Sequence, residues 1–138
     1  PGGRGRAVRG LDTNVLVRFL VRDDEAQFRR AAKLLERLSG AGEAARIDSI
    51  VICELVWVLK AGYGRTRREI ASALDALLDA APVEIDDREA VRQSVERFRT
   101  GKGDFSDYLL GLRNERAGCR DTLTFDRKLQ PSDGFTAL

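Results

Sequence analysis

The ten residues "IVICELVWVL" from Ile50 to Leu59 constrain this chain more than any other stretch. Nine of them are apolar and the tenth is Glu54. Ser49 stands before the run, and Gly62 and Gly64 follow it. Those flanks and that length predict a helix capped by Ser49, against the β-branched pull of Ile50 and Val51. A helix that is apolar on nearly all sides belongs inside a layered domain. Its one carboxylate is then expected to be buried, aimed at the end of a sheet. A buried carboxylate needs a cationic partner, a shifted pKa or a bound cation.

The remaining pattern alternates short apolar segments with helical periodicity. Residues 8–11, 45–48, 83–85 and 122–125 read as strands, and "GFTAL" at the C-terminus as a last short one. Between them, residues 15–20, 25–38, 66–81, 86–98 and 104–117 carry helical spacing or helix-start signals. Thr66 with Glu69 is a capping box, Asp86 with Glu89 a second box-like start, and Pro82 a stop. Such alternation predicts an α/β fold with a parallel sheet covered by helices on both faces. The chain of 138 residues fits one domain over 8–138. Residues 1–7, "PGGRGRA", read as a disordered tail or cloning-derived residues.

Composition removes several kinds of chemistry. There is no histidine, so no His base, no Ser–His or Cys–His pair and no His metal site. The two cysteines, Cys53 and Cys119, are far apart and expected in the core, and they are too few for a zinc site. The net charge of +2 does not by itself call for nucleic acid. No apolar run approaches the roughly 18–20 residues needed to cross a bilayer, and a cytoplasmic location is expected.

Carboxylates are what cluster. Asp12 follows the first strand, Glu54 lies within the helix after the second, Asp107 opens the helix at "DFSDYLLG", and Asp126 follows "TLTF". In parallel α/β sheets ligands bind at the carboxyl ends of strands, a place all four can face. Crowded carboxylates need counter-charge, and all-oxygen donors suit Mg²⁺ or Mn²⁺. Each acid also has a purely structural reading. Asp12 suits a cap or turn, Asp126 a turn, Glu54 a salt bridge, and Asp104 an N-cap three residues before Asp107.

"LDTNVLVRFLVRDD", "DSIVICELVWVL", "DFSDYLLG" and "TLTFDRKL" together resemble the four acidic motifs of the PIN-domain family, and within it the VapC-type toxins of bacterial toxin–antitoxin pairs. The resemblance runs in order from Val8 to the C-terminus. It implies an α/β/α sandwich with a central parallel sheet of four or five strands. It also implies a Mg²⁺- or Mn²⁺-dependent endoribonuclease, a homodimer and a cognate antitoxin. Asp12, Glu54, Asp107 and Asp126 match the catalytic, metal-holding acids, with Asp104 a further candidate ligand. Asn14 and Thr124 match supporting polar residues. Tyr108 and Gly111 depart from the small and apolar residues usual there, which concerns packing. Lys60, Arg65, Arg67, Arg68, Arg127 and Lys128 are candidates for the approach of an RNA backbone. Two other functions fit parts of the pattern. One is a catalytically inactive PIN-like module that binds RNA or protein. The other is a receiver-type phosphoacceptor, which lacks its acceptor Asp after a middle strand.

Overall fold

The computed structural model of the chain describes residues 7–130 and 132–138, and divides into two compact units that meet in sequence between Arg88 and Glu89. The tail expected over 1–7 lies outside the described residues except for Ala7, whose carbonyl accepts from Ala44 N at 3.1 Å. Among the described residues no helix is long and apolar enough to cross a membrane.

The first unit is a parallel sheet with helices between its strands. Its elements are β1 (Val8–Gly10), α1 (Thr13–Val21), α2 (Glu25–Gly40), β2 (Ala44–Ile47), α3 (Ser49–Trp57), α4 (Arg67–Asp79) and β3 (Val83–Ile85). The sheet order is β1-β2-β3, with Val8 opposite Ala44 and Ala45 opposite Val83. The middle strand is the core: Ala44, Ala45 and Ile47 have no exposed surface. Two alanines in succession leave room for the flanking helices to approach, as a strand buried on both faces requires. Ile52 and Leu55 of α3 and Ile70, Leu74 and Leu78 of α4 complete the apolar interior. Each such side chain contributes about 1.5–3 kcal/mol by leaving water.

Local signals explain most boundaries. Thr66 and Glu69 form the expected capping box, with Glu69 N donating to Thr66 Oγ1 at 3.1 Å and Thr66 N to Glu69 Oε1 at 2.9 Å. The cap of α3 is Asp48 rather than Ser49: Asp48 Oδ1 accepts from Ile50 N at 2.9 Å. Ser49 is the first helical residue and gives its hydroxyl to Asp86 Oδ2 at 3.2 Å. Asp86 therefore serves Ser49 and, at 3.4 Å, Arg46, and lies two residues ahead of α5. The α3 helix runs on into one π-helical turn, Val58–Gly62, and Gly64 takes the left-handed φ of +62° that ends it.

The second unit holds α5 (Arg88–Thr100) from Glu89 on, α6 (Phe105–Arg116), β4 (Thr122–Thr124) and β5 (Phe135–Ala137). Its two strands pair in parallel, Thr122 opposite Phe135. The five described strands thus reach the expected number, but as three and two rather than as one continuous hydrogen-bonded sheet. Val91, Val95 and Phe98 form one buried face of α5, and Phe98 meets Phe105 edge to face at 6.1 Å. Tyr108 is buried, and its hydroxyl accepts from Gly103 N at 2.9 Å. Gly101 and Gly103 are needed there, because a Cβ on Gly101 would collide with Tyr108 and one on Gly103 with Leu129 while crowding the Tyr108 hydroxyl.

Gly111 is the other tight point, since a Cβ there would lie 2.7 Å from Cζ of Phe135. Gly111→Ala should therefore cost about 1–3 kcal/mol despite the better helix propensity of alanine. Gly40→Ala, where nothing lies within 4 Å, should be neutral or slightly stabilising. Urea midpoints of the two variants check this; a Gly111→Ala midpoint at or above the wild-type value would refute the packing account.

Candidate active site

In the first unit the site is built around Thr13. Asp12 follows Leu11 at the carboxyl end of β1 and caps α1, its Oδ1 accepting from Thr13 N at 2.7 Å. The hydroxyl of the same Thr13 donates to Glu54 Oε1 at 3.1 Å. One nearly buried threonine thus holds two of the sequence-predicted acids, Asp12 by its amide and Glu54 by its side chain. Sequence reasoning missed it. The signal was its place between Asp12 and Asn14 at the start of a helix that follows a strand.

Glu54 differs from expectation. It is exposed, not enclosed by core, and Ile50 and Trp57 on the same helix are 68% and 69% exposed. The apolar run buries Ile52, Leu55, Val56 and Leu59, and leaves its other side to solvent. Neither a buried salt bridge nor a desolvated carboxylate describes Glu54. Asn14, on the first turn of α1, lines a cleft between α1 and α2.

In the second unit three acids interact. Asp104 has the extended backbone of an N-cap residue, but its carboxylate makes no capping bond to α6. Asp107 sits in the first turn, its amide donating to Asp104 O at 3.0 Å. Asp126 follows β4, where its carboxylate accepts from Lys128 N at 2.9 Å and its own amide donates to Thr124 Oγ1 at 2.9 Å. Thr124 thus supports Asp126 through the backbone. The Asp107 carboxyl is pushed above its ordinary range, first by burial and then by the negative charges of Asp104 and Asp126. A bond from the Asp104 amide and the charge of Lys128 oppose the shift.

The donor set is all carboxylate oxygen, and the charge around Asp107 is under-compensated, which suits a hard divalent cation. Among the described residues no three acidic or thiol side chains form a group ready to hold an ion. Mg²⁺ does not require such a cage. It is commonly held by one or two carboxylates, keeping waters and substrate phosphate in its other positions. Neither cysteine is in a disulfide, and Cys119 is exposed rather than in the core, because it lies in the turn after α6. Of the candidate RNA-approach residues, Lys60, Arg65, Arg68, Arg127 and Lys128 are exposed and Arg67 is partly so.

A raised folded-state pKa means that the proton favours the folded protein. That contribution is complete below the unfolded value near 4 and is lost as pH rises through the folded value. At neutral pH the metal-free protein therefore carries the repulsion around Asp107. Asp107→Asn removes the charge and keeps an acceptor for the Asp104 amide. In EDTA at pH 7.5 this variant should melt about 1–2 °C above wild type, the gap closing below about pH 4. Melting below wild type at pH 7.5 would show that the Asp107 charge stabilises the fold.

The first relative in sequence is the VapC ribonuclease of Aquifex aeolicus (strain VF5), 27% identical over 120 residues, which are 87% of this chain and 88% of that protein. Among solved structures, VapBC2 from Rickettsia felis bound to a DNA fragment from their promoter aligns with 95% of this chain and 97% of its own. Its identity is 19% and its TM-score 0.38, a score too low to carry a structural argument. The sequence model of the PIN domain matches residues 11–131, a span that takes in Asp12, Glu54, Asp104, Asp107 and Asp126. With so much of its length matched, the chain belongs to the PIN-domain family.

Proposed function

We propose that this chain is a divalent-metal-dependent endoribonuclease, with Mg²⁺ or Mn²⁺ as the ion, and the toxin of a type II toxin–antitoxin pair acting in the cytoplasm. The observation that carries the reading is the near full-length similarity to a protein named a VapC ribonuclease. The PIN match runs through both units, which supports treating 8–138 as one domain. Asp12, Glu54, Asp107 and Asp126 are the acids required for cleavage, with Asp104 a further ligand candidate. Thr13 fixes the Glu54 carboxylate, and Thr124 fixes the turn that presents Asp126. When bound, the ion supplies activation of a water and stabilisation of the leaving oxygen of a phosphodiester. Lys60, Arg65, Arg67, Arg68, Arg127 and Lys128 screen the approaching RNA backbone. The cognate antitoxin and a second copy of the chain are the expected protein partners. Ile50 and Trp57, exposed two turns apart on α3, support an apolar protein contact.

The alternative is a catalytically inactive PIN-like module that binds RNA or protein. Incubating the protein with a mixed RNA pool separates the two. Cleavage should appear with Mn²⁺ or Mg²⁺ and vanish with EDTA. Asp12→Asn, Glu54→Gln and Asp107→Asn should each lower the cleavage rate by about 100-fold or more, and a double variant should be little worse than a single. Absence of metal-dependent cleavage in folded protein would favour the module. Full activity in Asp107→Asn with loss in Asp104→Asn would move the third ligand to Asp104.

A further inference from the structure

The acids leave one charged feature of the first unit unexplained. A cavity of about 310 Å³ lies between α1 and α2, lined by Asn14, Arg18, Gln27, Arg30 and Arg37 among others. Its lining includes three arginines and no carboxylate. A second cavity, of about 630 Å³, continues it along α2 and is lined by Arg30, Lys33, Glu36 and Arg37. Residues 30, 33 and 37 recur at the spacing of one helix face, and span about 10 Å along the axis.

Of these cations Arg18 is paired with Asp23, while Arg30 and Arg37 on α2 have no ion pair among the described residues. Arg18 bonds Asp23 through Nη1, but its Nε is buried with no hydrogen-bond partner. The framework around them is fixed. Tyr63 donates to Asp23 at 3.1 Å, and Arg22 pairs with Glu25 at 3.1 Å while lying 3.9 Å over the Phe28 ring. Arg18 is held by Asp23, Arg30 and Arg37 stand exposed on α2, and the group attracted to all three is an anion. Guanidinium groups match phosphate oxygens in geometry as well as charge. The amides of Asn14 and Gln27 add donors and acceptors of the kind that ribose hydroxyls engage.

We propose that the cleft between α1 and α2 holds backbone phosphates of single-stranded RNA, beside the end of α1 that carries Asp12. The demand for an anion comes from the arginines; the choice of RNA rests on the ribonuclease reading. The cleft carries no chemistry. It fixes where the strand lies relative to Asp12, which is two residues from Asn14 in the cavity wall.

Fluorescence anisotropy of a labelled single-stranded RNA, in EDTA so that nothing is cleaved, tests this across a range of salt. The double variant Arg30→Gln/Arg37→Gln should bind about tenfold more weakly at 0.1 M salt. Its log Kd should depend less steeply on log salt, by about 0.7 for each phosphate that is no longer neutralised. A charge-matched control, Lys102→Gln/Arg120→Gln, should keep the wild-type slope. Equal affinity and slope in wild type and the Arg30/Arg37 variant would overturn the proposal. So would calorimetric binding of inorganic phosphate that needs these arginines when RNA binding does not, since the cleft would then take a free anion. Arginine-dependent RNA binding without cleavage in Mn²⁺ would uphold the cleft and sink the ribonuclease reading. Cleavage with arginine-independent binding would do the reverse.

Discussion

The helices that leave β1 and β2 both begin on a carboxylate, and the first unit is arranged around that requirement. The first amides of a helix have no acceptor within it, and the positive end of the helix favours negative charge. Asp12 meets this need for α1 and Asp48 for α3. In a parallel sheet such starts fall at the carboxyl ends of the strands, so capping alone gathers acids on that edge. Arg46 balances part of the charge by pairing with Asp48 at 3.2 Å and Asp86 at 3.4 Å. Asp12 and Glu54 are held by Thr13 instead, through neutral donors that fix position without cancelling charge. Among the described residues neither acid has an ion-pair partner, which is why the proposed function assigns both to the metal site rather than to capping alone.

The same economy appears in packing. β2 is buried through Ala44 and Ala45, and α3 then needs only one side of its apolar surface to cover the sheet. Ile50 and Trp57 are left over. In the second unit the space is taken by rings. Phe98, Phe105, Tyr108 and Phe135 are buried, and glycine at 101, 103 and 111 is the accommodation they demand. Tyr108 and Gly111, the departures from the usual motif, are therefore coupled to a local core and leave the acid at 107 in the first turn of its helix.

Element order was legible because each signal was local. The periodicity of 25–38, the box at Thr66 and Glu69 and the strand at 122–125 each depend on neighbours in sequence, and all have counterparts in the structure. What required distant partners was not legible. The apolar run around Glu54 suggested burial, but burial depends on how much covers a helix, and here one side is uncovered. Ser49 is as good a cap by type as Asp48; the choice was made by Asp86, 37 residues away, which takes the Ser49 hydroxyl. Thr13 was overlooked because its role is a bond to Glu54 across 41 residues. For Asp104 and Asp107 the sequence offered two acids of equal type. Asp107 is half-buried and Asp104 exposed, a difference that residue type does not carry.

A net charge of +2 conceals the sorting that matters for function. The 24 basic and 22 acidic residues nearly cancel in number, but not in place. Arg18, Arg30 and Arg37 line one cleft with no carboxylate among them, while in the other unit the charges of Asp104 and Asp126 act on the half-buried Asp107. The acids around Asp107 do not help folding, since like charges brought together repel and partly buried ones lose hydration. In the proposed reading a polyanion meets the arginines and a divalent cation meets the acids. The protein without histidine has no neutral acid–base pair to fall back on, so charge of both signs, kept locally unbalanced, is the means available to it. On that reading the repulsion around Asp107 is the reservoir from which cation binding draws, and neutral substitution there should trade binding for stability rather than lose both.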